Sequence, residues 1–285
     1  MSEPESEPEP LLQAQSPHNE SAAPRELLST DDGKVEVQPK PRVDLGYAQY
    51  DGRYLSNGVN QFKGMRYAAP PLGDLRWRAP RALSVREPGT PMLLPVWVYI
   101  QGGGYTANSN PDYIGATVVE ESGMNVILVN FNYRVGLWGF LAGEQVREDG
   151  DLNVGLLDQR QLLKWVKTHI AKFGGDPDRV IIHGVSAGAG SAALHLTAFG
   201  GRDDGLFSGV MTQSVFFPAH QKLRDLQYQF NKTLELAGCS PDHEPMSCLR
   251  AKTSRELQTV VNRALAFPGE PRPRAGIGPL ASTAT

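Results

Sequence analysis

A serine set between small residues has the spacing of a reactive nucleophile. Gly184, Ser186 and Gly188 fit the pattern G-x-S-x-G, in which the serine occupies a sharp turn between a strand and a helix. The flanking positions must be small because the two backbones nearly touch there. Apolar residues at 180–183 predict the strand, and the small residues after the serine predict the helix. A plain glycine-rich turn shares the short pattern, but this context favours a nucleophile.

A run of glycines upstream of the serine suits the other half of the same chemistry. Residues 95–100 are almost continuously apolar, as expected for a buried parallel strand. Gly103 and Gly104 follow closely, and backbone without side chains can aim N–H groups at a substrate carbonyl oxygen. We expect these two glycines and Ala187 to form an oxyanion hole. A flexible loop is the alternative.

Strands and helices alternate around these residues. In chain order the expected elements are strand 95–100, strand 125–130, helix 158–173, strand 180–183, the helix after Ser186, strand 209–213 and helix 222–236. Such alternation predicts an α/β fold with a mostly parallel, doubly wound sheet. Residues 43–67 carry turn signals at Asp51-Gly52 and Asn57-Gly58, which predict an N-terminal β meander or hairpin.

The two ends differ in composition from this central region. Residues 1–42 are acidic and rich in proline and serine, and residues 267–285 are also rich in small residues and proline. Both ends are expected to be disordered tails flanking a domain at 43–266. The acidic start lacks the basic residues and apolar core of a secretory signal. A cytoplasmic location is therefore expected, although secretion of a longer form stays open.

Charge and hydropathy exclude several classes of partner. The net charge of −3 gives no reason to expect nucleic acid as a partner. Apolar runs are short and interrupted, so no transmembrane helix is expected. The sequence predicts no metal site, and it does not indicate an oligomeric state. The two cysteines alone do not identify a redox compartment.

Several stretches together resemble the type-B carboxylesterase and cholinesterase family of α/β-hydrolases, especially its fungal members. They are FKGMRYAAPPLGDLRWRAP, WVYIQGGGY, NYRVGLWGF, NVGLLDQRQLLKWVKTHIAKFGGDP, GVSAGAGS and GLFSGVMTQS. The resemblance covers about residues 44 to 262. It implies a partial α/β-hydrolase fold and hydrolysis of a small carboxylic ester without a cofactor.

The resemblance also assigns roles to single residues. It implies that Ser186 is the nucleophile and supports the three oxyanion donors named above. Ser214 matches a serine near the acid of the family's catalytic triad, although an ordinary serine at a strand end fits equally well. Cys239 and Cys248 match a pair that closes a short disulfide loop in the family. Two reduced surface thiols are the alternative.

The chain departs from the family in its acid and base. A serine hydroxyl needs a general base, which in turn needs an orienting carboxylate. The family places both beyond the position of residue 285. Local histidines are expected to pack or to be solvated rather than act as the base; these are His183, His195, His220 and His243. Asp203 and Asp204 are expected to be solvated turn charges.

Two further departures concern the chain itself. Residues 81–95 bridge a region that is much longer in the family, and the C-terminal tail replaces sequence rich in aromatic residues. A truncated or misassembled reading of the gene, with an altered frame near the end, is the resulting hypothesis. A serine ester hydrolase, a catalytically incomplete fragment and a non-catalytic interaction module stay open. We expect an open strand edge, poor solubility and negligible turnover.

Overall fold

The computed structural model describes residues 28–29, 35–36, 40–82, 93–107, 115–241 and 243–262. The chain divides into two compact units, residues 1–39 and residues 40–285. In the first unit, β1 (Leu28–Ser29) and β2 (Val35–Glu36) form an antiparallel pair. These short strands lie within the N-terminal tail that was expected to be disordered.

Two small hairpins begin the second unit. The first joins β3 (Arg42–Asp44) to β4 (Gln49–Asp51), and the second joins β5 (Arg53–Tyr54) to β6 (Asn60–Gln61). Both hairpins fall where the turn signals predict a meander. A short 3₁₀ helix follows at Gly73–Leu75.

A parallel sheet forms the centre of the second unit. It contains β7 (Leu94–Ile100), β8 (Ile127–Asn130), β9 (Gly175–Val185) and β10 (Gly209–Gln213), in the order β10-β9-β7-β8. Every pair is parallel. The predicted strands are confirmed, with β7 starting one residue early and β8 two residues late.

The strand before the serine is longer than its sequence predicts. The sequence predicts a strand at residues 180–183 only, but β9 already pairs with β7 at Gly175. The register shifts between Leu94 and Val96. Such an irregularity accommodates Pro177, because proline lacks the N–H that a regular ladder needs.

Helices connect the strands. They are α1 (Gly115–Glu121), α2 (Gly136–Phe140), α3 (Glu144–Asp149), α4 (Val154–His169), α5 (Ala187–Gly201), α6 (Leu223–Ala237), α7 (Pro245–Ala251) and α8 (Ser254–Asn262). The predicted helix at 158–173 begins earlier, at Val154, and ends in a 3₁₀ turn at Ile170–Phe173. Gly174 stops it with a φ of 82°, a conformation that favours glycine.

The main core lies on one face of the sheet, beneath α4 and α5. Its fully buried side chains alternate along the strands, as a covered sheet face requires. They include Val96, Val98, Ile100, Val180 and Ile182, packed against Leu162, Leu163, Val166 and Ala192. Each large aliphatic side chain buried in this way contributes about 1.5–3 kcal/mol. On the other face, α1 approaches β8 closely at Gly115 and Leu128, so helices flank both faces.

A second core joins the C-terminal helices to the segment before β7. Trp77 is fully buried among Phe230, Leu234 and Leu249, and its Nε1 donates a hydrogen bond of 3.0 Å to the carbonyl oxygen of Leu137. In the part of the chain that is described, none of these helices combines the length and the apolar character needed to cross a membrane.

Candidate active site

The backbone bends sharply at Ser186, between β9 and α5. This residue has φ 57° and ψ −123°, outside the regions that side-chain-bearing residues normally adopt. Its N–H donates to the carbonyl oxygen of Gln213 at 3.1 Å, and its carbonyl accepts from Gly190 at 2.9 Å and Phe216 at 3.2 Å. A strained residue persists only where its surroundings hold it. These three hydrogen bonds hold the corner.

The small residues beside Ser186 are required by contact with other backbone segments. A Cβ on Gly184 would lie well inside 3.0 Å of the carbonyl group of Gly188. A Cβ on Gly188 would in turn lie well inside 3.0 Å of the carbonyl oxygen of Ile100, at the end of β7. Both glycines of the sequence pattern therefore permit close approach at the corner.

The glycine loop after β7 lies directly against this corner. A Cβ on Gly102 would stand 3.2 Å from the Cβ of Ser186 and 2.7 Å from the carbonyl oxygen of Val185. Gly103 and Gly104 have φ of 110° and 61°. Only glycine adopts such angles readily, so the run of glycines is a conformational requirement of this loop.

Gly103, Gly104 and Ala187 carry the backbone N–H groups that the sequence predicts as oxyanion donors. No hydrogen bond between described residues is donated by the N–H of Gly103, Gly104 or Ala187. Ala187 is also the first residue of α5, where N–H groups lack intrahelical partners and the helix dipole favours negative charge. Ala187 directly follows Ser186, and Gly103 and Gly104 directly follow Gly102, which contacts the corner.

Tyr105 holds the glycine loop, and the sequence analysis missed it. Its ring is fully buried and meets Phe140 edge to face, with 5.5 Å between ring centroids. Its carbonyl accepts a hydrogen bond of 2.7 Å from the N–H of Gly136. Burial raises the pKa of its hydroxyl to about 12. An aromatic residue directly after a glycine run was the available signal.

The two histidines closest in sequence to Ser186 are occupied by packing. His195 is buried within α5, and its Nε2 lies 3.0 Å from Oε1 of Gln159, whose Nε2 donates to Ser191 Oγ. Burial, with Arg160 nearby, lowers the pKa of His195 to about 4. His183 packs against Trp97, with ring centroids 5.2 Å apart, and burial lowers its pKa.

The other two histidines considered as a base, His220 and His243, are both exposed. Asp203 accepts a hydrogen bond from the N–H of Gly205, as a turn residue should. Asp204 also lies at an exposed position, as expected, but its carboxylate is paired. It pairs with both Arg202 and the largely buried Arg160, because α5 brings the turn that follows it against α4.

The other residues singled out lie at different distances from the corner. Ser214 directly follows β10, is exposed and has a φ of 52°. Cys239 and Cys248 form a disulfide with a Cα–Cα distance of 5.9 Å, and Cys239 belongs to the second core. This bond links α6 to α7, remote in the chain from the serine.

Among the residues that the structure describes, no cluster of acidic, histidine or cysteine side chains could hold a metal ion.

The parallel sheet and the serine corner define the class. The fold is similar to that of Aspergillus niger EstA, with a TM-score of 0.75 and 43% identity over 81% of this chain and 52% of that one. It is also similar to a PNB esterase, with a TM-score of 0.71, 28% identity and 57% of that chain covered. The structure is thus a partial α/β-hydrolase fold.

The family follows from sequence matches. Residues 39–90 and 83–282 match the carboxylesterase family, and the chain belongs to it. Lipase 2 of Geotrichum candidum is 40% identical over 78% of this chain and 53% of its own length. A secreted triacylglycerol lipase, LIP1 of Gibberella zeae, is 31% identical over 83% of this chain and 44% of its own length. The chain therefore spans about half the length of these curated relatives.

The comparisons bear on three sequence expectations. The two segments that match the family model overlap at residues 83–90, inside the stretch that was expected to be shorter than in the family. Residues 83–92 lie outside the described structure. The match continues to residue 282, into the tail expected to begin at 267; that tail also lies outside the described residues. The expectation of a cytoplasmic protein gains no support, since relatives include secreted lipases.

Proposed function

We propose that this chain supplies the nucleophile and the oxyanion hole of a serine carboxylic ester hydrolase. The Ser186 hydroxyl attacks the carbonyl carbon of the ester, and the negative oxygen is bound by the N–H groups of Gly103, Gly104 and Ala187. The alcohol leaves, and water then releases the acid from the acyl-serine. This reaction requires no cofactor.

The observation that carries this proposal is the contact between the glycine loop and the strained corner. Gly102 approaches Ser186 so closely that a Cβ would lie 3.2 Å from that of the serine. Donors fixed beside a developing oxyanion need no reorganisation during the reaction. Each one of them typically contributes about 3 kcal/mol to transition-state stabilisation.

The proposal does not place the general base among the described histidines. The buried His195 bonds to Gln159, and the lowered pKa of its imidazole leaves it a weak proton acceptor. His183 packs against aromatic rings. We therefore place the acid and base outside the described part of the chain, with Ser214 beside the acid. Without them, we expect negligible turnover.

A catalytically inactive fragment or a non-catalytic interaction module is the alternative. Such a module needs no strained serine and no loop of unpaired donors. The retention of φ 57° at Ser186, together with left-handed Gly104, favours ancestry in an enzyme. For a longer form, the disulfide between Cys239 and Cys248 fits an oxidising compartment and hence secretion.

Covalent labelling tests the nucleophile directly. We expect a fluorophosphonate probe to modify Ser186, and any hydrolysis of p-nitrophenyl butyrate to vanish in Ser186→Ala. Ser56→Ala is the matched control, because Ser56 lies in an exposed turn. Labelling that survives in Ser186→Ala, or no labelling of Ser186 even when a complementing acid and base are supplied, contradicts the proposal.

A further inference from the structure

The middle of α6 contains the acceptor pattern of N-linked glycosylation. Asn231, Lys232 and Thr233 fit N-x-S/T, with a residue other than proline in the second place. In this modification an oligosaccharide is attached to the side-chain amide of the asparagine, and a hydroxyl is needed two residues later. A pattern this short also arises by chance, so the surroundings of its residues in the fold decide whether a glycan can be carried.

Asn231 lies on a side of α6 that faces solvent. It is exposed, as is Lys232, whereas Phe230 and Leu234 of the same helix are buried in the second core. The amide oxygen of Asn231 accepts a hydrogen bond of 3.1 Å from Nε2 of Gln227, one turn earlier. A glycan bonded to Nδ2 leaves this oxygen able to keep that contact. The folded helix can therefore carry a solvated glycan here without losing buried contacts.

The hydroxyl of the pattern is placed differently. Thr233 is fully buried, and its Oγ1 donates a hydrogen bond of 2.8 Å to the carbonyl oxygen of Gln229. An enzyme that must contact this hydroxyl reaches it only when α6 is open. Opening α6 would expose Phe230 and Leu234, and elements of a core open only at a free energy close to that of global unfolding. The glycan must therefore be added before α6 folds.

The same part of the chain carries a second mark of the secretory compartment. α6 ends at Ala237, and Cys239 beyond it is bonded to Cys248 of α7. Disulfides form and persist in oxidising compartments, and lipid-linked oligosaccharides are available in the same place. The disulfide also ties α7 to the end of α6, so it should close after the glycan has been attached.

We infer that Asn231 is an N-glycosylation site that is modified before α6 folds. The inference rests on the secretion of a longer form given under the proposed function. The co-substrate is a lipid-linked diphospho-oligosaccharide. A bond forms between Nδ2 of Asn231 and the anomeric carbon of the first sugar, and the bond from that carbon to the diphosphate oxygen breaks. Nδ2 loses one proton, the lipid diphosphate leaves with the electron pair, and nothing is oxidised or reduced.

Expression of the full chain behind a secretory leader in yeast tests the site. Asn19→Gln is present throughout, because Asn19-Glu20-Ser21 is also an acceptor pattern, and a C-terminal acceptor tag reports entry into the compartment. Peptide-N-glycosidase in heavy-oxygen water converts each glycosylated asparagine to a labelled aspartate, which peptide mass spectrometry locates. We expect the label at Asn231 and its complete loss in Asn231→Gln and Thr233→Val. Thr233→Ser is the matched control, because it keeps the hydroxyl and should keep the glycan.

The order of events is tested in the same cells. Cys248→Ser removes the disulfide and prolongs the time for which α6 is open. The glycosylated fraction at Asn231 should therefore stay equal or rise in this variant. A fraction that falls would show that the transferase needs the folded helix, and it would overturn the inferred order.

The outcomes separate this inference from the chemistry of the serine. A label that is lost in Asn231→Gln and Thr233→Val and kept in Thr233→Ser supports the site. An unlabelled Asn231 on a chain whose tag is glycosylated overturns it. An unmodified tag overturns it together with the secretion on which it rests, and leaves the proposed nucleophile untouched. Fluorophosphonate labelling of Ser186 in the same preparations tests that nucleophile independently.

Discussion

β9 and β10 are neighbours in one sheet, but their surroundings are opposite. Val180 and Ile182 of β9 are completely buried between two strands and beneath helices, whereas Met211 of β10 is half exposed. The corner at Ser186 belongs to the covered strand, and the hydrogen bond that holds its N–H comes from the open one. The corner at Ser186 therefore lies between a completely packed strand and a strand that pairs on one side only among the described residues.

This contrast shows which parts of the site are self-sufficient. The corner, the glycine loop and Tyr105 are held by contacts within the chain. β10, by contrast, pairs with a described strand on one side only, and Met211 on it is half exposed. Substitutions should therefore be costly for folding around β9 and nearly neutral around β10, and the following measurements test that difference.

The largest effect is expected from a methyl group at the corner. Gly188→Ala would drive a Cβ into the carbonyl oxygen of Ile100, which is backbone and cannot move aside. We expect it to lower the free energy of unfolding by about 4 kcal/mol or more. In β10, Gly209→Ala meets only the flexible end of Ile181 at 2.7 Å and should cost less than about 1 kcal/mol. Urea denaturation measures both, and equal losses would abolish the contrast.

Truncation of a buried aliphatic side chain should come next. Ile182→Ala removes a fully buried side chain from the middle of β9 and is expected to cost about 3–4 kcal/mol through the lost burial and the cavity left behind. Met211→Ala, at an exposed position of β10, should stay within about 0.5 kcal/mol of the parent. A cost at Met211 as large as that at Ile182 would show that the edge is covered in solution.

We expect acid to lower the free energy of unfolding through protonation of His195, which is buried in α5. The folded-state pKa of this histidine is about 4, below the value of 6.5 for an exposed histidine. Between these values the unfolded chain binds the proton more readily than the folded chain. The contribution of His195 to the free energy of unfolding is therefore fully present above pH 6.5 and is lost as the pH falls towards 4. The expected loss is about 3 kcal/mol.

Thermal and urea denaturation across this pH range measure the decline. His195→Gln should flatten the dependence, whereas His220→Gln, which changes an exposed residue beyond β10, should leave it unaltered. An identical pH profile in the His195 variant would refute the assignment.

The smallest effect on folding is expected just after β10. Val215→Lys, at an exposed position, should change the free energy of unfolding by less than about 0.5 kcal/mol. It should nevertheless reduce aggregation, because a charge on an open edge opposes strand addition. Light scattering at matched concentrations measures this effect. Unchanged scattering would argue that the edge is not the route of association.

Much of the sheet could be predicted from the sequence because buried parallel strands are written as short apolar runs. Strand 209–213 and the strand–serine–helix arrangement agree with the structure. The start of β9 could not be foreseen, since Asp176-Pro177 signals a turn locally and only pairing with β7 extends the strand. The ion pair of Asp204 could not be foreseen for a similar reason, because its partner Arg160 is distant in sequence.

The same distinction between local and distant contacts applies to the candidate site. The spacing of Gly184, Ser186 and Gly188 predicts the sharp turn, because only small residues fit where the backbone segments meet. For Tyr105 the sequence offers only an aromatic residue after a glycine run, because its contacts with Phe140 and Gly136 depend on tertiary packing. The catalytic parts played by Ser186 and the three donors stay predictions until the nucleophile is labelled.

The hydrogen bond between Ser186 and Gln213 has a mechanical implication. It joins the backbone of Ser186 directly to β10, the last strand on one side of the described sheet, so a shift of that strand would displace the corner without any change in the main core. Because the link is so short, the rate at which a probe labels Ser186 would report whether another strand has paired with β10.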